Sequence, residues 1–142
     1  MKSIIVTGGA GFIGSNFILQ NINKYKIINI DTLTYASNQN YLKSVSKSKN
    51  YKFYKINILN TKKILNLIKK YKPIYIFNFA AESHVDNSIK NSDKFINTNI
   101  LGTHSLLKAV LRSKKILRTS FKFIQISTDE VFGDVKKNYL SK

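Results

Sequence analysis

The run Thr7-Gly8-Gly9-Ala10-Gly11-Phe12-Ile13-Gly14 holds two overlapping glycine patterns, Gly8-x-x-Gly11-x-x-Gly14 and Gly9-x-Gly11-x-x-Gly14. Glycines at this spacing allow a tight turn, a close approach of backbone to a pyrophosphate, and close packing of a helix on a strand. A helix starting here presents free N–H groups and its positive dipole end to the anion. Asp31 stands 31 − 11 = 20 residues beyond Gly11. At that distance a carboxylate accepts hydrogen bonds from the adenosine ribose hydroxyls and repels the extra phosphate of NADP. The competing role for Asp31 is to cap the next turn. Loop and acid together predict a dinucleotide site with NAD as cofactor.

A second group of reactive side chains lies near the other end of the chain, in Ile126-Ser127-Thr128-Asp129-Glu130-Val131-Phe132-Gly133-Asp134. Two adjacent carboxyls can settle at different pKa values, so that one keeps its proton and acts as acid while the other acts as base. Taken alone, Asp129 and Glu130 read more readily as solvated residues capping a turn. His84, in Phe79-Ala80-Ala81-Glu82-Ser83-His84-Val85-Asp86, titrates near neutrality and could serve as a base. A structural role is the reading preferred for it, and His104 reads as a surface or packing residue. No His/Asp/Glu spacing suggests a metal site, and the absence of cysteine rules out thiolate ligands and disulfides.

These residues need elements to carry them. Ser3 to Thr7 reads as a buried strand before the glycine loop, and Ser15 to Ile22 has apolar residues at helical spacing. Lys26 to Asp31 reads as a second strand ending on the acid, and 32–50 as a loop with a short helix. Tyr51 to Ile56 alternates like a third strand. Thr61 is the expected N-cap of a helix from Lys62 to Tyr71, with Ile64, Leu65, Leu67 and Ile68 on one stripe. Pro73 stops it, and Ile74 to Phe79 reads as a fourth strand. A long helix is expected from about Asp93 to Leu111, with Phe95, Ile96, Ile100, Leu101 and Leu107 on its apolar side. Phe121 to Ser127 reads as a fifth strand. Strands alternating with helices on near-continuous apolar runs predict an α/β fold, a Rossmann-like doubly wound parallel sheet covered on both faces. Both acidic segments then sit at the carboxyl ends of strands, where ligands bind in open sheets. Tyr51, Tyr54, Tyr71 and Tyr75 read as packing residues.

At 142 residues the chain has room for one domain, 1–142. No apolar run approaches the ~20 residues of a membrane span, and the N-terminus passes straight into a strand, which leaves no signal peptide to expect. Cytoplasm is the default location. The net charge of +17 is the usual footprint of a nucleic-acid binder. Yet nearly all of it is lysine, Arg112 and Arg118 being the only arginines, and the lysines are spread among isoleucine and asparagine along the whole chain. Base and phosphate readout favours the planar fork of arginine. The excess therefore reads as a bias toward A+T-rich codons, with no specific nucleic-acid partner and only nonspecific affinity for polyanions.

Together with Asp31-Thr32-Leu33-Thr34-Tyr35-Ala36, the two motifs after the fourth and fifth strands resemble the dTDP-glucose 4,6-dehydratases of the extended short-chain dehydrogenase/reductase family. The resemblance runs from Ile4 to Gly133, and the Ser-Thr-Asp-Glu-Val segment is its most particular part. It implies an internal redox cycle on a nucleotide sugar: hydride leaves C4 of the glucose, water is lost across C5 and C6, and the hydride returns at C6. It implies Asp129 as the acid for the departing C6 hydroxyl, Glu130 as the base at C5, and Thr128 as a hydrogen-bonding partner near the 4-hydroxyl. For NAD it implies Phe12 and Ile13 at the pyrophosphate, Asp31, Thr32, Leu33 and Thr34 around the ribose, and Asn57, Ile58, Ala80, Ala81, Ser83 and Thr98 along the rest, with Ser83 also near the substrate.

The sequence departs from the family in three places. Asn57 replaces a usual aspartate at the adenine amino group, Asn87 replaces a usual arginine, and the family's Tyr-x-x-x-Lys lies downstream of Lys142; Tyr139 and Lys142 are too closely spaced to stand in for it. The chain is accordingly read as the N-terminal part of a longer enzyme, inactive by itself. A homodimer is expected for the full-length protein, because the family dimerises through helices of this half of the fold. Two other readings stay open: an NAD-dependent epimerase or dehydratase for another nucleotide sugar, and an NAD-binding fragment without chemistry.

Overall fold

Short runs of isoleucine and valine bounded by turns form the sheet. In the computed structural model, which describes residues 1–84, 91–117 and 120–133, five strands lie side by side. They are β1 (Ser3–Thr7), β2 (Lys26–Asp31), β3 (Tyr51–Lys55), β4 (Tyr75–Asn78) and β5 (Lys122–Gln125). Their order is β3-β2-β1-β4-β5 and every pairing is parallel. Ile4, Ile5 and Val6 of β1 and Ile27, Ile28 and Ile30 of β2 are fully buried. Both faces of these inner strands are covered, which is why their apolar residues run continuously and do not alternate. Each such side chain contributes roughly 1.5–3 kcal/mol relative to leaving it exposed.

Helix α1 (Phe12–Asn21) and a 3-10 turn at Gln39–Val45 cover one face, where Ile18, Ile22 and Leu42 pack with Ile4, Val6 and Ile27. Helices α2 (Thr61–Tyr71) and α4 (Thr103–Leu117) cover the other, where Ile64, Leu67, Ile68, Leu106, Ala109 and Val110 pack on Ile5, Ile28 and Ile76. The fold is the doubly wound α/β sheet expected. The four tyrosines pack as expected too: Tyr51 is buried with its hydroxyl accepting from Asn29 Nδ2 at 2.9 Å, and the rings of Tyr54 and Tyr71 meet edge to face.

Two local expectations are corrected. The cap of α2 is Asn60, whose side chain accepts from Lys63 N at 3.0 Å, and Thr61 is the first helical residue, its hydroxyl donating to Ser105 O. Asparagine caps as well as threonine does, and its carbonyl reaches the N3 amide from one residue earlier. The expected long helix is three pieces: α3 (Ser92–Phe95), a π-helical stretch (Ile96–Gly102) and α4. The wider π turn rotates the facing of the helix beyond it, so the face turned to the sheet is Gly102, Leu106, Ala109, Val110 and Ser113. Ile96, Ile100, Leu101 and Leu107, expected on the buried side, are exposed, Ile100 by 62%. Gly102 permits the close approach: a Cβ there would lie 2.6 Å from Ile58 Cδ1.

Candidate active site: a dinucleotide crevice and an acidic turn

β1 lies between β2 and β4, and the chain leaves β1 for one side of the sheet and β4 for the other. This is the switch point at which a crevice opens beyond the strand ends. The glycine loop fills it. Gly8 has φ +69 and a Cβ on it would stand 2.5 Å from Ala80 N, so only glycine lets the loops after β1 and β4 touch. Gly11 is the N-cap residue of α1, with no side-chain cap on the helix, and Gly14 is buried beneath the loop. The N–H groups of the first turn are therefore free for a ligand. The side chains of Phe12 and Ile13 point to solvent, 72% and 62% exposed.

Asp31, 7% exposed, ties this loop to β2. Its Oδ2 accepts from Ala10 N at 2.9 Å, and its Oδ1 accepts from Leu33 N at 2.8 Å and Ser37 Oγ at 2.9 Å. The turn-capping role is thus present, and it holds Leu33 at φ 60. An ionised carboxylate offers about four acceptor positions, so these three bonds leave room for one more on the side that faces the crevice.

The crevice is lined by Gly8, Gly11, Asp31, Thr32, Thr34, Asn57, Ile58, Ala80, Ala81 and Thr98, all singled out from the sequence. Ala36, Ser37 and Glu82 complete its rim. Leu33 contributes its backbone to the Asp31 turn, and Ser83 is exposed on the loop after β4. That loop is held from two sides. Asn99 Oδ1 accepts from Glu82 N and Asn99 Nδ2 donates to Glu82 O, both at 2.9 Å, and the Tyr35 hydroxyl donates to Glu82 Oε2 at 2.9 Å. The ring of His84 lies 5.7 Å from that of Tyr35, a packing contact, and His104 is exposed.

Farther along the strand ends, Thr7 Oγ1 donates to Asn78 Oδ1, and Asn78 Nδ2 donates to Gln125 Oε1 at 2.8 Å. This chain of side chains links β1, β4 and β5 near their carboxyl ends. Ile126 N bonds Asn78 O at 3.1 Å, after which the backbone leaves the sheet and turns into a short 3-10 segment, Asp129–Phe132. Thr128 and Asp129 are exposed there, one strand beyond the crevice lining; of Glu130 the backbone alone is described. Asn87, Tyr139 and Lys142 lie outside the described residues. Among the described residues no acid and histidine cluster could hold a metal ion, and no helix is long and apolar enough to cross a membrane.

Sequence reasoning assigned no role to Tyr35 or Asn99. An asparagine at a helical position and a tyrosine in a polar loop read as surface residues, and only their meeting at Glu82 distinguishes them. Ser37 carried a weak signal, a hydroxyl shortly after an acid that ends a strand.

A parallel sheet in this order, with a glycine loop at its switch point and an acid at the end of the second strand, is a Rossmann-type nucleotide-binding fold. The chain belongs to the GDP-mannose 4,6 dehydratase family, whose model matches residues 5–141. The dTDP-glucose 4,6-dehydratase of Haemophilus influenzae is 45% identical over 141 residues, covering 95% of this chain and 42% of the relative. The crystal structure of dTDP-glucose 4,6-dehydratase from Bacillus anthracis in complex with NAD superposes with a TM-score of 0.80 at 41% identity, over 100% of this chain and 42% of that one. DesIV, the dTDP-glucose 4,6-dehydratase of Streptomyces venezuelae, with NAD and TYD bound, gives a TM-score of 0.86 at 32% identity over 97% and 43%. The chain therefore spans about two fifths of the length of the proteins it matches.

Proposed function

We propose that residues 1–142 are the NAD-binding domain, with the acid–base turn, of a dTDP-glucose 4,6-dehydratase that converts dTDP-glucose to dTDP-4-keto-6-deoxyglucose with loss of water. The observation that carries this reading is the placement of the Thr128-Asp129-Glu130 turn at the end of β5, registered through Gln125 and Asn78 to the strand that ends in the glycine loop. The crevice offers a dinucleotide the glycines Gly8 and Gly11 beside the Asp31 carboxylate, the combination that a pyrophosphate and its ribose call for.

In this reading the free N–H groups at Phe12 and Ile13 bind the pyrophosphate, the remaining acceptor position of Asp31 takes a ribose hydroxyl, and Thr32, Leu33 and Thr34 wall the ribose. Asn57 and Ile58 sit at the adenine end; Ala80, Ala81, Ser83 and Thr98 continue toward the nicotinamide. The nicotinamide supplies the hydride acceptor and, later, the donor. Ser83 and Thr128 orient the sugar. Once C4 is a carbonyl the C5 proton is acidic; Glu130 takes it, and Asp129 gives its proton to the C6 hydroxyl as water departs. We place the protein in the cytoplasm and as a homodimer, its partner covering the exposed Ile96, Ile100, Leu107 and Leu111 face.

The test is the natural full-length protein incubated with dTDP-glucose in deuterated water. The expected product is lighter by one water and carries deuterium at C5. Asp129→Asn lowers turnover by about 10²–10⁴-fold, the usual weight of a positioned acid. A product inverted at a sugar hydroxyl with no loss of water would replace this reading with an epimerase, and no turnover with bound NAD would leave only a binding domain.

A further inference from the structure

The loops after β2 and β4 are joined at the rim of the crevice by the side chains of Tyr35 and Glu82. β2 and β4 flank β1, so a bond from Tyr35, after β2, to Glu82, after β4, passes across the glycine loop at the end of β1. Glu82 is set up for this bond by Asn99. One planar amide accepts from the N–H and donates to the carbonyl of Glu82, both at 2.9 Å, which pairs its backbone as a neighbouring strand would. The π-helical stretch makes this possible, since it brings Thr98 onto the crevice and Asn99 onto Glu82. Thr34, Ala36 and Glu82 line the crevice while the Tyr35 hydroxyl bonds Glu82 at its rim. Tyr35 is 57% exposed, and an exposed hydrogen bond of this kind adds little to folding stability. Its effect falls on whatever lies beneath it.

We propose that Tyr35, Glu82 and Asn99 form a clasp across the crevice that closes over the pyrophosphate half of a bound dinucleotide and sets its residence time. The inference rests on the dinucleotide reading above. Tyr35 and Asn99 act as positioning residues, through Glu82. A ligand filling the crevice from the β3 side to the β4 side leaves only when the Tyr35–Glu82 bond opens, whereas a ligand confined to the Asp31 end leaves without disturbing it. Loss of the clasp therefore appears in the dissociation rate of the long ligand, the step where most affinity differences between related complexes reside.

The experiment measures NAD and AMP release by stopped-flow displacement from the natural full-length protein, unsubstituted and with Tyr35→Phe, Asn99→Leu or Glu82→Gln. Tyr35→Phe and Asn99→Leu should speed NAD release by about five- to tenfold, the weight of one or two exposed hydrogen bonds, with AMP release unchanged. Glu82→Gln keeps an acceptor for the tyrosine and should stay within about twofold of the unsubstituted protein, where a lost bond would cost more. Unchanged NAD release in Tyr35→Phe and Asn99→Leu overturns the clasp and leaves the dinucleotide reading standing. Equal acceleration of NAD and AMP marks a general loosening and also overturns it. An unsubstituted protein that binds neither ligand overturns the cofactor reading and the clasp together.

Discussion

Asp31 shows how one side chain can hold a site together before it touches any ligand. Its carboxylate joins the end of β2 to the glycine loop through Ala10 and shapes its own turn through Leu33 and Ser37. Position and type were readable from the spacing to Gly11; the three partners were not, because two of them are backbone groups that any residue supplies. A different pairing at this scale makes a pH-dependent prediction. The hydroxyls of Tyr54 and Tyr71 lie 2.5 Å apart, and the hydrogen bond that the Tyr71 hydroxyl donates to Tyr54, then burial, pushes the Tyr71 phenol up to about 12 from an ordinary 10. The fold thus favours the neutral phenol, so this contribution to stability is complete below pH 10 and is lost as pH rises from 10 to 12. Burial raises the Tyr51 phenol as well, so phenolate absorbance should show late-ionising tyrosine, and Tyr54→Phe should remove the part that belongs to Tyr71 by bringing it back toward 10. A wild-type titration with no late phenol would contradict the pairing.

At the scale of elements, the strands were legible and the long helix was not. Lys26 to Asp31 forms a strand with the bounds expected, since a buried run of isoleucine closed by an acid leaves few alternatives. The π-helical stretch has no such signature. Its apolar residues repeat at helical spacing and imply a buried stripe, but the buried face combines Leu106 and Val110 with the small residues Gly102, Ala109 and Ser113, and at Gly102 the approach of Ile58 leaves no room for a Cβ. Gly102→Ala tests this contact. Helix propensity by itself favours alanine by about 1 kcal/mol, so any loss reads the clash directly. The expected loss is about 1–3 kcal/mol, as for overpacking elsewhere, measured by urea denaturation. It should shrink when Ile58→Ala removes the opposing side chain. A stabilised Gly102→Ala protein would mean that Ile58 does not fix the helix.

For the whole molecule, the π-helical stretch and α4 carry apolar side chains turned away from the sheet. Ile96, Ile100, Leu107 and Leu111 are 46%, 62%, 38% and 61% exposed on a chain that carries a net charge of +17. Strong self-repulsion keeps such a protein from associating at random, so these exposed apolar side chains are where the partner in the proposed homodimer would sit. Ile100→Lys with Leu111→Lys should convert a sedimenting dimer of the full-length protein to monomer and remove any dependence of its unfolding midpoint on protein concentration. A monomeric unsubstituted protein would remove the homodimer from the proposed function.

The sequence alone determined the fold class, the glycine loop, the acid that faces it and the acidic turn after β5, because each is a local pattern: periodicity, spacing and residue type along a few neighbouring positions. Tertiary structure decided the rest. Which strands are neighbours put Asp129 one strand beyond the crevice; the π turn chose which face of the long helix is buried; and the joining of Tyr35, Glu82 and Asn99 depends on pairs 47 and 17 residues apart. Contacts of that separation leave no period in the chain. They exist only once the sheet has brought the ends of its strands to one edge.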